Sequence, residues 1–141
     1  MAKVNDTAKV PRGEARQALA KSLEFSEAAQ SEVGAKRWDA AGLAAIHSAI
    51  CAADAALIAS AGMRSTSQDH GAVIPLLEAQ IPEFKAQQRR QLGGLLKKKN
   101  QVAYERRPLS EVEAKQLVDQ TTRFTQWARG VVQRQLGEPP A

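Results

Sequence analysis

Four stretches of the chain carry apolar residues at the three- and four-residue spacing of a helix. In the first, residues 13–30, Ala15, Leu19, Leu23 and Ser26 mark the inner face, and Gly34 is placed to stop the helix. The second, residues 36–61, is the most apolar. Leu43, Ile46, Ile50, Ala53 and Leu57 form one stripe, alanines cover much of the remainder, and Gly62 closes it. A helix apolar on most sides belongs in the middle of a bundle. Residues 63–69 form a connector rich in helix-capping types. A third helix starts near Asp69 or His70. Pro75 fits its first turn, but Pro82 should kink or break it, giving pieces at 70–81 and 82–101. Gly93-Gly94 either weakens the second piece or marks a close approach to another backbone. Arg106-Arg107-Pro108-Leu109 reads as a turn. Ser110 with Glu113 reads as a capping box that opens a fourth helix, with Leu117, Thr121, Phe124, Ala128 and Val131 inside.

The pattern predicts an all-α protein, an up-down four-helix bundle whose third helix is kinked or broken near Pro82. Residues 13–136 make one helical domain, with flexible tails at 1–12 and 137–141. Composition agrees. A chain of 141 residues with 43% apolar content can bury a core without disulfide or metal staples. Aromatics are only 4%, so the core relies on small side chains. Cys51 is the single cysteine, which excludes an internal disulfide and suits a reducing compartment. On an apolar helix it reads as a small buried hydrophobe. No stretch approaches a membrane span of uninterrupted apolar residues, and residues 1–13 lack a signal-like apolar run. The expectation is a cytoplasmic protein with no membrane association.

Charge changes the picture more than composition does. The net charge is +5, but residues 83–107 hold eight cations against Glu83 and Glu105. That segment alone is +6, leaving −1 for the rest. Such asymmetry is expected where a surface meets phosphates or an acidic partner, and also of a solvated helix face.

Four groups could carry chemistry. Lys97, Lys98, Lys99, Asn100 and Tyr104 end the third helix, with Arg106 and Arg107 beyond. Lysine and arginine suit phosphate, asparagine suits a phosphate or ribose hydroxyl, and tyrosine can stack on a base. The plainer alternative is a cationic helix C-terminus. In the second group, Arg64 and His70 flank a polar connector, an arginine to hold a phosphate and a histidine to move a proton. A capped loop is the alternative. In the third, His47 and Asp54 lie seven apart on one face of the second helix and must be paired, wet or at an interface. Trp38 and Trp127 are read as core or dimer-contact residues. The motifs call for no metal and no cofactor: there is no Gly-rich phosphate loop, no paired-cysteine site and no catalytic-serine motif.

Several of these stretches resemble the HEPN family, a four-helix module of prokaryotic toxin–antitoxin and defence systems. They are Arg37-Trp38-Asp39 through His47 to Asp54, the connector with Gly62, Arg64, Ser65 and Asp69-His70, the run Leu95 to Asn100 with Tyr104-Glu105, and the last helix from Ser110 to Phe124. The resemblance spans about residues 35–135. It implies a homodimer. It also implies either a metal-independent endoribonuclease or a member that binds RNA, a nucleotide or a partner, such as a nucleotidyltransferase-type antitoxin. The family's active motif is an arginine followed four to six residues later by a histidine, late in the third helix. There this chain has Lys99, Asn100 and Tyr104, and a phenol is no base near neutral pH. Arg64 and His70 match the spacing but lie in the connector before that helix. Three functions stay open: a non-catalytic or weakly catalytic binding protein, an active RNA-cleaving toxin, and a helical interaction module with no nucleic-acid role.

Overall fold

The computed structural model describes residues 6–137. Among them are five α-helices: α1 (Ala15–Gly34), α2 (Trp38–Ala61), α3 (Val73–Gln80), α4 (Ala86–Tyr104) and α5 (Glu111–Leu136). Two short strands, β1 (Thr7–Lys9) and β2 (Met63–Ser65), pair antiparallel, with Ala8 opposite Arg64. The fold is thus all-helical apart from one small ribbon. That ribbon takes in part of the stretch expected to be a loose tail. Three-residue strands are too short for a period of two to register in the sequence. The tails expected at residues 1–5 and 138–141 lie outside the described residues.

α2 touches every other helix. By length and composition it could cross a membrane, although Asp39 and Asp54 interrupt its apolar run, but most of it is buried inside the protein. α1 runs antiparallel to it, with Ala15 against the end of α2 (Ala55, Ala59) and Ser22 against its middle. The buried face of α1 is Ala15, Ser22 and Ala29, one residue every two turns. The expected Leu19, Leu23 and Ser26 are only partly buried, because the interface selects small side chains rather than large ones. Likewise Leu43 of the expected α2 stripe is exposed, while the alanines between carry the core.

The packing is close enough for hydroxyls to cross it. Ser22 Oγ donates to the Ser48 carbonyl at 2.7 Å, and Ser48 Oγ donates back to the Ser22 carbonyl at 2.7 Å. Thr125 of α5 reaches the same Ser48 hydroxyl at 3.4 Å, and Thr121 Oγ1 donates to the Ala45 carbonyl at 3.1 Å. These contacts make α5 parallel to α2. α4 runs the opposite way, its Val102 end facing Gly42 and its Leu92 facing Ala53. The long helices therefore alternate in direction along the chain. α2 and α5, though parallel, pack directly on each other, and the small residues of α2 allow it. Gly42 is part of this packing: a Cβ there would land on Leu109 Cδ1 and press Leu117 Cδ1 at 3.3 Å.

The helix ends explain the remaining differences from expectation. α1 stops not through Gly34 but through Lys36, whose φ of 61° lies in the left-handed region, with Arg37 N–H returning to the Glu32 carbonyl at 2.9 Å. Gly62, at φ 63°, ends α2 as expected. Pro82 breaks the third helix outright: α3 stops at Gln80, Ile81 turns extended and buried, and α4 restarts at Ala86. Asp69 caps a short 3-10 turn, His70–Ala72, through Gly71 N–H at 3.0 Å, so Pro75 falls in the first turn of α3. The Ser110–Glu113 capping box is present in both directions, at 3.1 and 3.0 Å.

If the Ser22–Ser48–Thr125 contact sets the helix spacing, Ser48→Ala costs about 1–2 kcal/mol in lost hydrogen bonding. Ser48→Leu, which cannot fit between the backbones, costs about 3 kcal/mol or more. Urea denaturation of the two variants checks this. Equal losses would mean that hydroxyl bonding, not spacing, is what matters there.

Candidate functional site: a two-lobed cleft around His70

Two clefts meet at His70. The first, of about 200 Å³, lies between the middle of α2, strand β2 and α4. Asp54, Arg64, Ser65, Thr66, Ser67 and His70 supply its polar lining over a floor of Ile50, Ala53 and Leu92. The second, of about 390 Å³, is lined by Asp69, His70, Lys97, Lys99 and Asn100, with Gly93 in its wall. His70 and Leu96 belong to both. Gly93 has open space around its Cα, so its missing side chain widens the second lobe. Gly94 meets only the Gln120 side chain, at 3.7 Å. Neither glycine marks a close approach to another backbone.

Each polar group is placed by a local device. Asp54 sits on the outer face of α2, one helical repeat beyond His47. Arg64 stands on β2, which β1 holds in register. His70 opens the 3-10 turn capped by Asp69, where the chain bends from the connector into α3. Lys97, Asn100 and Lys99 come from the last turns of α4.

The electrostatics of the first lobe are uneven. Burial pushes the Asp54 carboxyl up to about 6, and the Arg64 guanidinium only partly opposes this. Burial also pushes the His70 imidazole down, helped by the positive charge of Lys99 and by His47, with Asp69 pulling the other way. Acid and base are thus drawn toward each other from opposite sides. Cys51 is half-buried rather than fully buried, its thiol pushed up by burial.

Some expected residues lie elsewhere. Tyr104 is 76% exposed and lines neither lobe, and Lys99 Nζ stands 5.9 Å from the centre of its ring. Lys98 and Arg107 both bind Glu113, at 3.2 Å each. With the Ser110 amide they hold that carboxylate well below its usual range. Their charge is therefore tied to the start of α5. Arg106 is exposed in the turn. His47 is exposed and stacks on Phe25 at 5.5 Å between ring centres, sharing a face of α2 with Asp54. Trp127 packs on Phe84 and Phe124, and Trp38 lies against the main core, as expected of core residues. Asp54 joins Arg64 and His70 in one lobe, a grouping the sequence did not suggest. Its one signal was a carboxylate inside an alanine run. Among the described residues no group of three or more His, Cys, Asp or Glu could hold a metal ion.

No family model matches the chain, and no curated protein or solved structure matches it either.

A carboxyl raised on folding opposes folding once it ionises. Below the unfolded carboxylate value Asp54 is neutral in both states and has no effect. As pH rises from about 4 through 6 its ionisation destabilises the fold. Asp54→Asn therefore stabilises the protein at neutral pH by up to about 3 kcal/mol, a gain that vanishes below about pH 4. Urea midpoints at the two pH values measure it, and a loss of stability at neutral pH would mean that the carboxylate is a structural partner.

Proposed function

We propose that this protein is a HEPN-like helical module, non-catalytic or weakly catalytic, that binds RNA through its phosphates at the two-lobed cleft around His70. In this reading it is cytoplasmic and homodimeric, works in a toxin–antitoxin or defence unit, and pairs with a nucleotidyltransferase-type or other antitoxin protein. The family part rests on the sequence resemblance over residues 35–135. The binding part rests on one observation: His70 is the shared wall between a lobe bearing Arg64 and a lobe bearing Lys97, Lys99 and Asn100. Arg64 offers a planar fork for a phosphate, the lysines offer point charges, and Asn100 with Ser65 and Thr66 offers hydrogen bonds to sugar or base.

The lysines separate this reading from a solvated basic face. Lys97→Glu with Lys99→Glu should weaken single-stranded RNA binding at least roughly tenfold at low salt and flatten the salt dependence by about 1.4, two contacts at about 0.7 each. Lys98→Glu should disturb the α5 cap instead, lowering stability more than affinity. Fluorescence anisotropy between about 50 and 200 mM salt, with a mononucleotide as competitor, reads both effects. Unchanged affinity and slope in the double variant would leave a helical interaction module without a nucleic-acid role.

A second reading, an active metal-independent endoribonuclease, is favoured by the paired shifts of Asp54 and His70 in one lobe. Neutral His70 takes the proton of a ribose 2′-hydroxyl as its oxygen bonds to phosphorus. The bond to the 5′ oxygen breaks, and that oxygen receives the proton of Asp54. Arg64 holds the phosphate. The products are a 2′,3′-cyclic phosphate and a 5′-hydroxyl. Activity then needs His70 unprotonated and Asp54 protonated. The rate should fall above about pH 6 as Asp54 ionises, and fall again in more acid solution as His70 gains its proton. RNA cleavage in EDTA by the parent, Asp54→Asn and His70→Ala tests this. Both substitutions should abolish it, and a rate that keeps rising through pH 6, or survives in His70→Ala, would sink this reading.

A further inference from the structure

The residues before α1 do more than lead into it. Arg12 is anchored at both ends of its guanidinium: Nε donates to the Ala59 carbonyl at 2.6 Å, and Nη2 to the Gln135 carbonyl at 2.9 Å and to Gln135 Oε1 at 3.2 Å. It thereby satisfies open carbonyls at the C-terminal ends of α2 and α5 together, where no intrahelical donor is left for them. Pro11 follows at once in the other direction, and the chain before it lies along β2. Val10 N–H donates to the Gly62 carbonyl at 2.9 Å, and Thr66 N–H to the Asp6 carbonyl at 2.7 Å. Between these two bonds the alternation of an antiparallel ladder makes Ala8 and Arg64 the doubly bonded pair.

On either side of Arg64, Met63 packs against the main core and Ser65 Oγ accepts from Ser67 N–H at 3.3 Å, while Arg64 itself is paired with Ala8. It is a surface residue in a connector that leaves α2 through the left-handed Gly62 and continues into Thr66 and Ser67, short of the Asp69 cap. A lone three-residue strand holds no conformation by itself. With Met63 as an anchor, the pairing to Ala8 sets the direction in which the Arg64 side chain leaves the backbone, and with it the mouth of the first lobe.

We propose that the N-terminal segment, stapled by Arg12 and paired through Ala8, is a positioning element that aims Arg64 into the cleft beside Asp54. Its use for phosphate rests on the binding function proposed above. Its placement of Arg64 does not, and the two can be tested apart.

The test uses the full chain. Ala8→Pro removes the N–H at the centre of the ladder, while Ala8→Gly keeps it. Arg64 opposes the rise of the Asp54 carboxyl, so the Asp54 titration followed by NMR reports where Arg64 points, with no ligand present. Arg64→Ala should move that titration to higher pH. Ala8→Pro should move it by the same amount, Ala8→Gly should leave it in place, and Ala8→Pro with Arg64→Ala should go no further than Arg64→Ala alone. Loss of Thr66 amide protection in Ala8→Pro reports that the ribbon has opened. If Ala8→Pro does not fold by circular dichroism, Arg12→Ala takes its place and is read in the same way. An Asp54 titration unmoved by the opened ribbon, or one that shifts additively with Arg64→Ala, overturns the proposal. RNA affinity is measured alongside: a fall in Ala8→Pro to the level of Arg64→Ala extends the positioning role to binding. A parent protein that binds no RNA overturns the binding function while the Asp54 readout still decides the placement of Arg64.

Discussion

The close approach of α1, α2 and α5 at Ser48 is the constraint on which the rest of the structure depends. Two hydroxyls crossing to each other's backbone carbonyls at 2.7 Å require the α1 and α2 backbones nearer than large side chains permit. Alanine, serine and glycine at the contact make this possible, and they fix what α2 can do. Its inner sides are committed to α1 and α5. Gly42 and Ala53 face α4, and what remains is a strip from Leu43 and His47, both exposed, through Ile50 to Asp54. Where Ile50 and Asp54 on that strip meet the connector and α4, the first lobe of the cleft forms. A bundle with larger residues on α2 would stand its helices further apart and bury the strip differently.

Because the core is built from small residues, its bonds must come from somewhere besides bulk. Buried hydroxyls on Ser22, Ser48 and Thr121 find carbonyl acceptors across helix boundaries, and Thr125 shares a hydrogen bond with the Ser48 hydroxyl. Such groups are costly when orphaned and directional when satisfied. They set the register of three helices in a way that an alanine surface alone, smooth and nearly uniform, does not.

The legible part of this fold was what depends on local chemistry. The capping box at Ser110, the stop at Gly62, the break at Pro82 and the inner face of α5 follow from residues within a turn or two of each other. What was hidden depends on distant partners. On α1 the expected Ala15 is buried, but Ser22 and Ala29 were passed over for Leu19 and Leu23, which are more hydrophobic, whereas the interface ranks by size. The β1–β2 ribbon joins segments more than fifty residues apart with too few residues for a pattern. The site was half legible for the same reason. Arg64 and His70 share one connector and could be singled out together. Asp54 could be seen as anomalous, but the lobe it completes arises only when α2 and the connector meet.

The run Lys97-Lys98-Lys99 illustrates how far identical residues diverge once geometry is imposed. Successive positions on a helix point about 100° apart. Lys98 is turned toward α5 and bound to Glu113, while Lys97 and Lys99 border the second lobe on either side of that direction. A triple lysine therefore amounts to two charges facing the cleft and one in a cap. The +6 of residues 83–107 overstates the field at the cleft, since Lys98 and Arg107 share the Glu113 carboxylate and Arg89 faces Glu78 at 3.7 Å, both carboxylates lying outside that segment. Positive charge at the site is thus carried by few groups: Arg64, Lys97 and Lys99. Among these few cations stand a half-buried carboxyl raised by burial and an imidazole lowered by it. Apolar residues in their place would fill the lobe and remove the destabilisation that Asp54 brings as it ionises, a cost that the proposed binding function would account for.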